Sequence, residues 1–435
     1  MYENNWESLN TRKVPEWFGK AKFGIFIHWG LYSVPAFAPK GDYAEWYGYC
    51  CNGQHSETES QKKYKEFHDE HYGGKPYYDF INDFRGDRFD AAKWAKLFKR
   101  SGAKYINFVS KHHDGYCLYE TEYAPGLNSV ECAPKRDFLM ELKNALEGTG
   151  VRFGVYHSVY EWNHPLYLEN PEKYALEHLL PMLKELVEKY QPSTLFTDGE
   201  WECESSVWHS TEFLQWLYNE SSVRDFIVPN DRWGKETRGR LGGNFTTEYG
   251  FIEGGKKIED VELDRPFEEC RGIGRSFGIN KEEGCEDYLS VKELLKTLCS
   301  LVSMGGNLLL NIGPDADGTI PPVMEERLLG MGEWLSVNGE AIYESEVYSK
   351  TAPAGVYFTK RDGSIYAISE GFPSKELVLP EVPYNAGYKI SLLGSEAKVT
   401  FCEKDGALAV KADICSPEDI ASQHLYTYKI TLKEG

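Results

Sequence analysis

Titratable side chains recur at the C-terminal ends of the strands that this sequence predicts. Four short apolar runs, typical of buried strands, each end in or beside such a group. In chain order these groups are His28, His112 with His113, Tyr156 with His157, and Asp198. The C-terminal ends of barrel strands carry the loops that build active sites, so this recurrence indicates one functional site. A single histidine at a strand end is more often structural, and it is the agreement among four strands that favours function.

The most informative stretch is residues 193–201, an apolar run that ends in two carboxylates and an indole. Cleavage of a glycoside with retention of configuration needs an ionised nucleophilic carboxylate and a carboxylic acid, about 5–5.5 Å apart. We predict Asp198 as the nucleophile, with the N-cap of a helix as its structural alternative. Glu200 is not expected to donate the proton, because the opposite face of the sugar has to be served from elsewhere.

The proton donor is harder to locate from residue types. It must keep a raised pKa to protonate the leaving oxygen. Glu248 follows a short β-prone run and is expected at a strand end, while Glu253, Glu268 and Glu269 lie downstream. Spacing alone does not choose among them, since most surface glutamates have no catalytic role.

The clustered histidines allow two interpretations. A metal site needs converging ligands, often as His-x-His or His-Glu-x-x-His, and neither pattern occurs. Adjacent His112 and His113 in an extended strand are expected to point to opposite faces, which disfavours a shared ion. Neutral imidazole both donates and accepts hydrogen bonds, so direct binding of sugar hydroxyls is favoured. We therefore expect no metal ion at these histidines, and keep a metal-dependent hydrolase as the alternative.

Two further positions combine a charge with an aromatic ring. Arg232 stands beside Trp233 after another predicted strand, and Glu45 stands beside Trp46 in an insertion after the first strand. Arg232 can hold a carboxylate at low pKa or bind a hydroxyl, and a plain salt bridge is nearly as expected. Glu45 and Trp46 are typical of a sugar clamp and equally of an ordinary packed loop.

Alternating strand and helix patterns position these groups. The patterns predict strands over 23–30, 105–110, 153–158, around Leu195, and over 226–231 and 307–312. They predict helices over 90–102, 136–148, 172–190, 206–220, 291–304 and 324–337. This alternation indicates a parallel sheet, and its length favours an irregular (β/α)8 TIM-type barrel in residues 1–345. Short β-rich runs beyond that point predict an all-β sandwich domain in residues 346–435.

Composition narrows the class of partner. The 435 residues carry a formal net charge of -20, with 68 acidic against 48 basic side chains. An acidic surface repels phosphate, so nucleic acid and anionic membranes are not expected partners. No run approaches a membrane span and no signal peptide is visible, from which we expect a cytoplasmic protein. The 10 cysteines form no paired metal-binding pattern.

Seven motifs, taken in order, resemble those of the α-L-fucosidases of glycoside hydrolase family 29. They lie at residues 17–30, 111–115, 154–158, 198–201, 230–234, 276–278 and 305–314. The resemblance implies a (β/α) barrel followed by a β-sandwich. It also implies hydrolysis of terminal α-L-fucose with retention and without metal or organic cofactor. Fucosylated oligosaccharides or glycoconjugates are the partners that it implies, and it leaves the oligomeric state open.

The resemblance also implies roles for particular residues. Asp198 matches the nucleophile, and Phe277 is expected to line a pocket for the C6 methyl group. The positions that match fucose-binding residues are His28, Glu45, Trp46, His112, His113, Tyr156, Arg232 and Phe277. Glu248 is favoured as the acid/base by its position between two of these, with Glu253 and Glu268 as alternatives. The rival interpretation is a barrel that only binds fucosylated glycans, which would need a replaced nucleophile or acid.

Overall fold

Eight parallel strands form the central sheet of the protein. The computed structural model describes residues 1–51, 58–250 and 265–432. The strands are β1 (Phe23–Ile27), β2 (Tyr105–Lys111), β3 (Val155–Ser158), β4 (Thr194–Asp198), β5 (Val228–Pro229), β6 (Phe245–Glu248), β7 (Phe267–Gly272) and β8 (Asn307–Ile312). Their spatial order is β5-β4-β3-β2-β1-β8-β7-β6, so β8 returns to β1 and, apart from β5 and β6, each strand lies beside its neighbours in sequence.

The sheet curls until its two ends meet. The backbone N–H groups of Gly243 and Asn244 donate to the carbonyl oxygens of Asn230 and Pro229, at 3.0 and 3.1 Å. These bonds join the segment before β6 to β5. Residues 230–244 form no helix, and β5 has only two residues. The predicted TIM-type barrel is therefore confirmed, and its irregularity lies between β5 and β6.

Helices surround the barrel in the described residues. They are α1 (Trp6–Leu9), α2 (Glu16–Ala21), α3 (Tyr47–Cys50), α4 (Glu59–Tyr72), α5 (Ala91–Arg100), α6 (Phe138–Leu146), α7 (Pro165–Glu169), α8 (Pro171–Tyr174), α9 (Leu180–Tyr190), α10 (Ser210–Asn219), α11 (Val291–Ser303) and α12 (Pro322–Asn338). Side-chain oxygens of Asp90, Asp137 and Ser290 accept a backbone N–H from the first turns of α5, α6 and α11. These caps fix where the predicted helices begin.

The insertion after β1 contains short helices that its composition does not predict. It holds a short 3-10 turn over Ala44–Trp46, followed by α3 and α4. A capping box starts α4, in which Thr58 and Gln61 satisfy each other's backbone N–H groups. The 3-10 turn brings the insertion back over the C-terminal ends of the strands.

The barrel interior is filled by apolar and aromatic side chains. β1, β2 and β8 are buried along their whole length, as expected for parallel strands covered on both faces. An inner cluster includes Phe26, Tyr156, Phe196, Cys270 and Leu309, all at most 2% exposed. This packed layer forms the floor beneath the titratable groups at the strand ends.

An all-β sandwich follows the barrel, as predicted. The strands are β9 (Glu346–Val347), β10 (Val356–Arg361), β11 (Ser364–Ser369), β12 (Leu377–Pro383), β13 (Tyr388–Leu392), β14 (Val399–Lys404), β15 (Ala407–Ala412) and β16 (Tyr426–Leu432). A five-stranded sheet has the order β13-β16-β11-β10-β9, and a three-stranded sheet has the order β12-β15-β14.

The sandwich packs on the last barrel helix. The Trp334 indole N–H donates to the Leu425 carbonyl at 2.9 Å, and the Asn338 amide donates to Ser422 at 2.8 Å. The domain boundary between residues 345 and 346 stays a prediction. Among the helices of the described residues, none has the length and apolar character to cross a membrane.

Candidate active site

A cavity of about 200 Å³ opens at the C-terminal ends of the barrel strands. All ten residues predicted for catalysis or binding line it, namely His28, Glu45, Trp46, His112, His113, Tyr156, Asp198, Arg232, Glu248 and Phe277. The other lining residues are Phe26, Tyr43, Phe196, Trp201, Arg238 and Cys270. The recurrence of polar groups at strand ends therefore marks one common site, as barrel geometry requires.

Asp198 lies at the end of β4 and receives three hydrogen bonds. Its Oδ1 accepts from Arg232 Nη1 at 2.5 Å and from Arg238 Nη2 at 3.1 Å. Its Oδ2 accepts from the Tyr156 hydroxyl at 3.2 Å. Burial alone raises the pKa of this carboxyl, but the two guanidinium charges outweigh burial and hold the pKa well below its usual range. Asp198 caps no helix, because α10 begins only at Ser210.

Arg232 lies between two carboxyl groups. It is 3% exposed, and its Nη2 is 3.5 Å from Glu248 Oε2 on the side away from Asp198. Its Nε donates to Thr246 Oγ1 at 3.1 Å, and its guanidinium carbon lies 4.8 Å from the centre of the Phe196 ring. Of the roles predicted for Arg232, holding a carboxylate fits this geometry: the guanidinium pairs with Asp198, and the Glu248 carboxyl is also within reach.

Glu248 is the acid candidate that reaches the cavity. It ends β6, and its side chain is 32% exposed, against 15% for Asp198. Glu268 lies near the start of β7, where it accepts a hydrogen bond from Tyr105 in the barrel interior. Burial raises the pKa of Glu268 to about 7, but the side chain does not line the cavity. Glu253 lies outside the described residues.

Three buried histidines form one wall of the cavity. The rings of His28 and His112 are 5.6 Å apart, and those of His112 and His113 are 4.2 Å apart. Burial lowers the pKa of His28 to about 3 and that of His113 to about 4, and it lowers the pKa of His112 well below its usual value. All three imidazoles are therefore neutral at physiological pH.

The hydrogen bonds of these histidines indicate which nitrogens are free for a ligand. The Asn311 amide donates to the Phe277 carbonyl at 2.7 Å, so its oxygen faces His28 Nδ1, also at 2.7 Å. His28 thus donates from Nδ1 and keeps Nε2 as an acceptor. His112 Nδ1 is buried without a hydrogen-bond partner in the described part of the chain. Buried polar atoms are normally paired, so this nitrogen is an exception within the wall.

The expectation that His112 and His113 face opposite sides is wrong. Both rings line the cavity. The physical reason is that β2 ends at Lys111, so the alternation of an extended strand does not apply to the two residues after it.

A possible ion-binding group lies elsewhere. In residues 1–51, 58–250 and 265–432, the cluster with ligand atoms close enough for one ion is Glu161, His164 and His178, outside the cavity. Its carboxylate already accepts hydrogen bonds from Lys111 and Tyr174. Among the described residues, the histidine wall is not a cluster whose ligand atoms lie close enough together for one ion.

The insertion and the loop after β7 complete the cavity. Glu45 Oε2 accepts the backbone N–H of Gly278 at 2.8 Å, and burial raises the pKa of Glu45 to about 8. The Phe277 ring packs 5.0 Å from His28 and is 6% exposed, which gives the cavity an apolar side. The Trp46 ring lies 5.0 Å from His113.

Arg238 lines the cavity and contacts Asp198, yet the sequence patterns do not predict it. It donates to Asp198 and also pairs with Glu200, whose Oε2 lies 3.2 Å from Nη2. Arg238 comes from the irregular segment between β5 and β6, where no periodicity or motif marks it. Cys270 was also missed, although strand pairing places it beside Glu248.

Comparison with known proteins decides the family. The family model described as alpha-L-fucosidase matches residues 1–340. Human plasma α-L-fucosidase is 42% identical over 387 residues, covering 86% of this chain and 79% of that protein. Human tissue α-L-fucosidase is 36% identical over 443 residues, covering 99% and 92%.

The chain belongs to the α-L-fucosidase family.

Solved structures agree with this assignment. The α-fucosidase of Thermotoga maritima in complex with a mechanism-based inhibitor superposes with a TM-score of 0.83 at 34% identity, covering 99% of this chain and 100% of that one. The same enzyme in complex with fucose gives a TM-score of 0.81 at 33% identity, with the same coverage. The expected fold and the expected class of enzyme, an α-L-fucosidase, are thereby confirmed. The roles of individual residues stay predictions.

Proposed function

We propose that this protein hydrolyses terminal α-L-fucosides with retention of configuration, through a covalent fucosyl-enzyme intermediate. The observation that carries the proposal is the Asp198 carboxylate, which two guanidinium groups keep ionised in a cavity below the size that drug-like ligands occupy. Such a cavity has room for one sugar ring, in keeping with removal of a terminal residue. The relatives named as α-L-fucosidases support fucose as that sugar.

In the first step Asp198 attacks the anomeric carbon. A bond forms between a carboxylate oxygen and C1, the bond from C1 to the leaving oxygen breaks, and Glu248 gives its proton to that oxygen. Oδ2 is the better placed nucleophilic atom, because Oδ1 is occupied by Arg232 and Arg238. The guanidinium contacts can then persist on Oδ1 while Oδ2 changes its bonding.

In the second step, water displaces Asp198 from the anomeric carbon. Glu248, now ionised, takes a proton from a water molecule, and the resulting hydroxide attacks C1 as the bond to Asp198 breaks. Fucose leaves with the configuration that it had in the substrate, and both carboxyl groups return to their starting states. Arg232 lies within 3.5 Å of both carboxyl groups, so its positive charge acts on each of them.

The remaining lining residues suit a deoxy sugar. Neutral His28 and His112 offer acceptors and donors to ring hydroxyls. Glu45, with its pKa near 8, carries a proton at neutral pH and can donate a hydrogen bond to a hydroxyl. Phe277 offers an apolar surface against which a methyl group is buried favourably, by roughly 0.8 kcal/mol for one carbon.

The decisive test is the Asp198→Ala variant with an aryl α-L-fucoside. We expect turnover to be lost and then restored by azide, with β-L-fucosyl azide as the product, because azide enters from the face that Asp198 vacates. In the wild-type enzyme, NMR should show α-L-fucose as the first anomer released. Unimpaired turnover in the variant would remove the nucleophile role, and first release of the β anomer would remove retention. Binding of fucose without any turnover by the wild type would favour the fucose-binding alternative.

A further inference from the structure

Trp201 is an exposed aromatic side chain at the cavity of the candidate active site. It follows Asp198 by three positions and lines the same cavity, yet 39% of it remains exposed to solvent. The neighbouring lining rings of Phe196, Tyr156 and Phe277 are at most 6% exposed. Trp201 therefore belongs to the rim of the cavity rather than to its interior.

The indole of Trp201 is held in place from several sides. The edge of His113 meets it at 5.5 Å with an interplanar angle of 84°. The rings of Trp46 and Tyr160 both lie 6.2 Å away, and the Arg238 guanidinium carbon lies 5.9 Å from the ring centre. A surface that is already fixed in orientation loses little entropy when a ligand packs against it.

Cavity size determines what must lie against this rim. A volume of about 200 Å³ accepts the fucose ring but not the sugar to which it is attached. The bond to be cleaved extends from C1, beside Asp198, towards Glu248, which is the more exposed of the two carboxyl groups. The leaving sugar therefore emerges at the rim of the cavity, to which Trp201 belongs.

Charge at the rim favours a neutral leaving sugar. Arg238 is engaged by Glu200 and Asp198, and Arg232 is engaged by Asp198 and Glu248. Among the described residues that line the cavity, both cations are thus balanced by carboxylates. Glu202 next to Trp201 adds a further acidic side chain that is exposed. An anionic sugar would gain no unpaired cation among these residues.

We propose that the exposed face of Trp201 is the binding surface for the first sugar of the leaving group, a neutral hexopyranose that stacks its C–H face on the indole. This proposal rests on the proposed fucosidase function. It assigns a binding surface to the part of the substrate that the cavity itself does not hold. Stacking on an aromatic face contributes to binding without fixing one linkage.

Two substrates that share fucose but differ in leaving group test the proposal. One is an α-L-fucosyl galactoside, and the other is α-L-fucosyl fluoride, whose leaving group has no ring to stack. In Trp201→Ala, we expect the ratio of kcat/KM for the galactoside to kcat/KM for the fluoride to fall about tenfold. Trp201→Phe keeps a flat ring and should lie between Trp201→Ala and the wild type. Phe372→Ala removes an aromatic side chain that is 51% exposed in the sandwich, and it should leave the ratio unchanged.

The outcomes are distinguishable. A wild type that cleaves both substrates, with the same ratio in Trp201→Ala, overturns the subsite and leaves the fucosidase function standing. A wild type that cleaves neither substrate overturns both proposals. If a fucosyl galacturonoside is cleaved as well as the galactoside, the preference for a neutral sugar is wrong. Should Trp201→Ala fail to fold, the ratio in Trp201→Phe decides.

Discussion

At the scale of single residues, the charge state of Asp198, the proposed nucleophile, depends on a chain of charged groups rather than on one contact. Asp198 is paired with Arg238, and Arg238 is paired with Glu200, which is 1% exposed. Burial raises the pKa of Glu200, and the Arg238 charge opposes that shift. A buried carboxylate of this kind is stable only while its cation is present. Glu200 therefore acts on Asp198 through Arg238, in keeping with its absence from the described residues that line the cavity.

Removing Arg238 should expose this dependence. In Arg238→Met we expect the free energy of unfolding to fall by about 3 kcal/mol, because Glu200 loses its buried partner. The double variant Glu200→Gln/Arg238→Met removes both charges and should recover most of that loss. Urea unfolding of the two variants and the wild type measures the difference. Equal stability of the single and double variants would show that Glu200 and Arg238 are not coupled.

The proton donor is tested by leaving groups of different quality. In Glu248→Ala we expect kcat/KM to fall by about 10² to 10⁴ for a fucosyl disaccharide, whose leaving oxygen needs a proton. The loss should be much smaller for an aryl fucoside with an acidic phenol. Glu268→Gln is the matched control, since that buried carboxyl lies outside the cavity and should show no dependence on the leaving group. Normal cleavage of the disaccharide by Glu248→Ala would return the role to Glu253 or Glu268.

At the scale of elements, periodicity was enough to predict the barrel but not its irregular parts. The strand of residues 307–312 was predicted with its observed bounds, and the helix of residues 291–304 to within one residue, because buried runs and amphipathic faces leave a pattern. In the sandwich, β14 is largely exposed, so burial leaves little pattern in its sequence. Arg238 was missed for a related reason. Its position depends on how a loop without periodicity folds back over Asp198, and sequence patterns do not record such long-range contacts.

The end of β2 is fixed by a buried ion pair from the next βα loop. Lys111 is the last residue of β2 and is fully buried, and its ammonium donates to Glu161, which follows β3. Burial raises the pKa of Glu161, but Lys111 and then His178 outweigh it and hold the pKa well below its usual range. The backbone N–H of Trp162 donates to the His113 carbonyl at 3.2 Å. The pair thus holds two loops together directly behind the histidine wall.

Breaking this pair should affect both stability and substrate binding. In Lys111→Met we expect the free energy of unfolding to fall by about 3 kcal/mol, since Glu161 is left as a buried charge. We also expect KM to rise, because His112 and His113 follow the mutated residue directly. The variant Lys111→Met/Glu161→Gln should regain stability. Lys20→Met, which removes an exposed pair with Glu16, is the control and should leave the unfolding transition in place.

At the scale of the whole molecule, two sets of buried groups oppose each other as the pH falls. The buried histidines with a lowered pKa are His28, His112, His113 and His157. They bind protons in the unfolded chain below about pH 6.5 but not in the folded protein, so acid destabilises the fold through them. Burial raises the pKa of Asp114, Glu268 and Glu45 to about 6, 7 and 8, and it also raises the pKa of Glu200, Asp231 and Glu269. They bind protons first in the folded protein, so acid stabilises the fold through them. We therefore expect only a shallow dependence of stability on pH between about 4.5 and 6.5.

His157 allows one side of this balance to be measured. It is fully buried outside the cavity, its Nδ1 lies 2.9 Å from Ser110 Oγ, and burial holds its pKa well below 6.5. His157→Asn removes a group that the unfolded chain protonates below pH 6.5 and the folded protein does not. Relative to the wild type, the variant should therefore gain about 1.4 kcal/mol of unfolding free energy for each pH unit below about pH 6, whatever its offset at neutral pH. Urea unfolding at intervals from pH 7.5 to 4.5 measures this difference. Parallel curves for the two proteins would mean that folded His157 takes up its proton near the usual pH, and that burial alone does not keep the ring neutral.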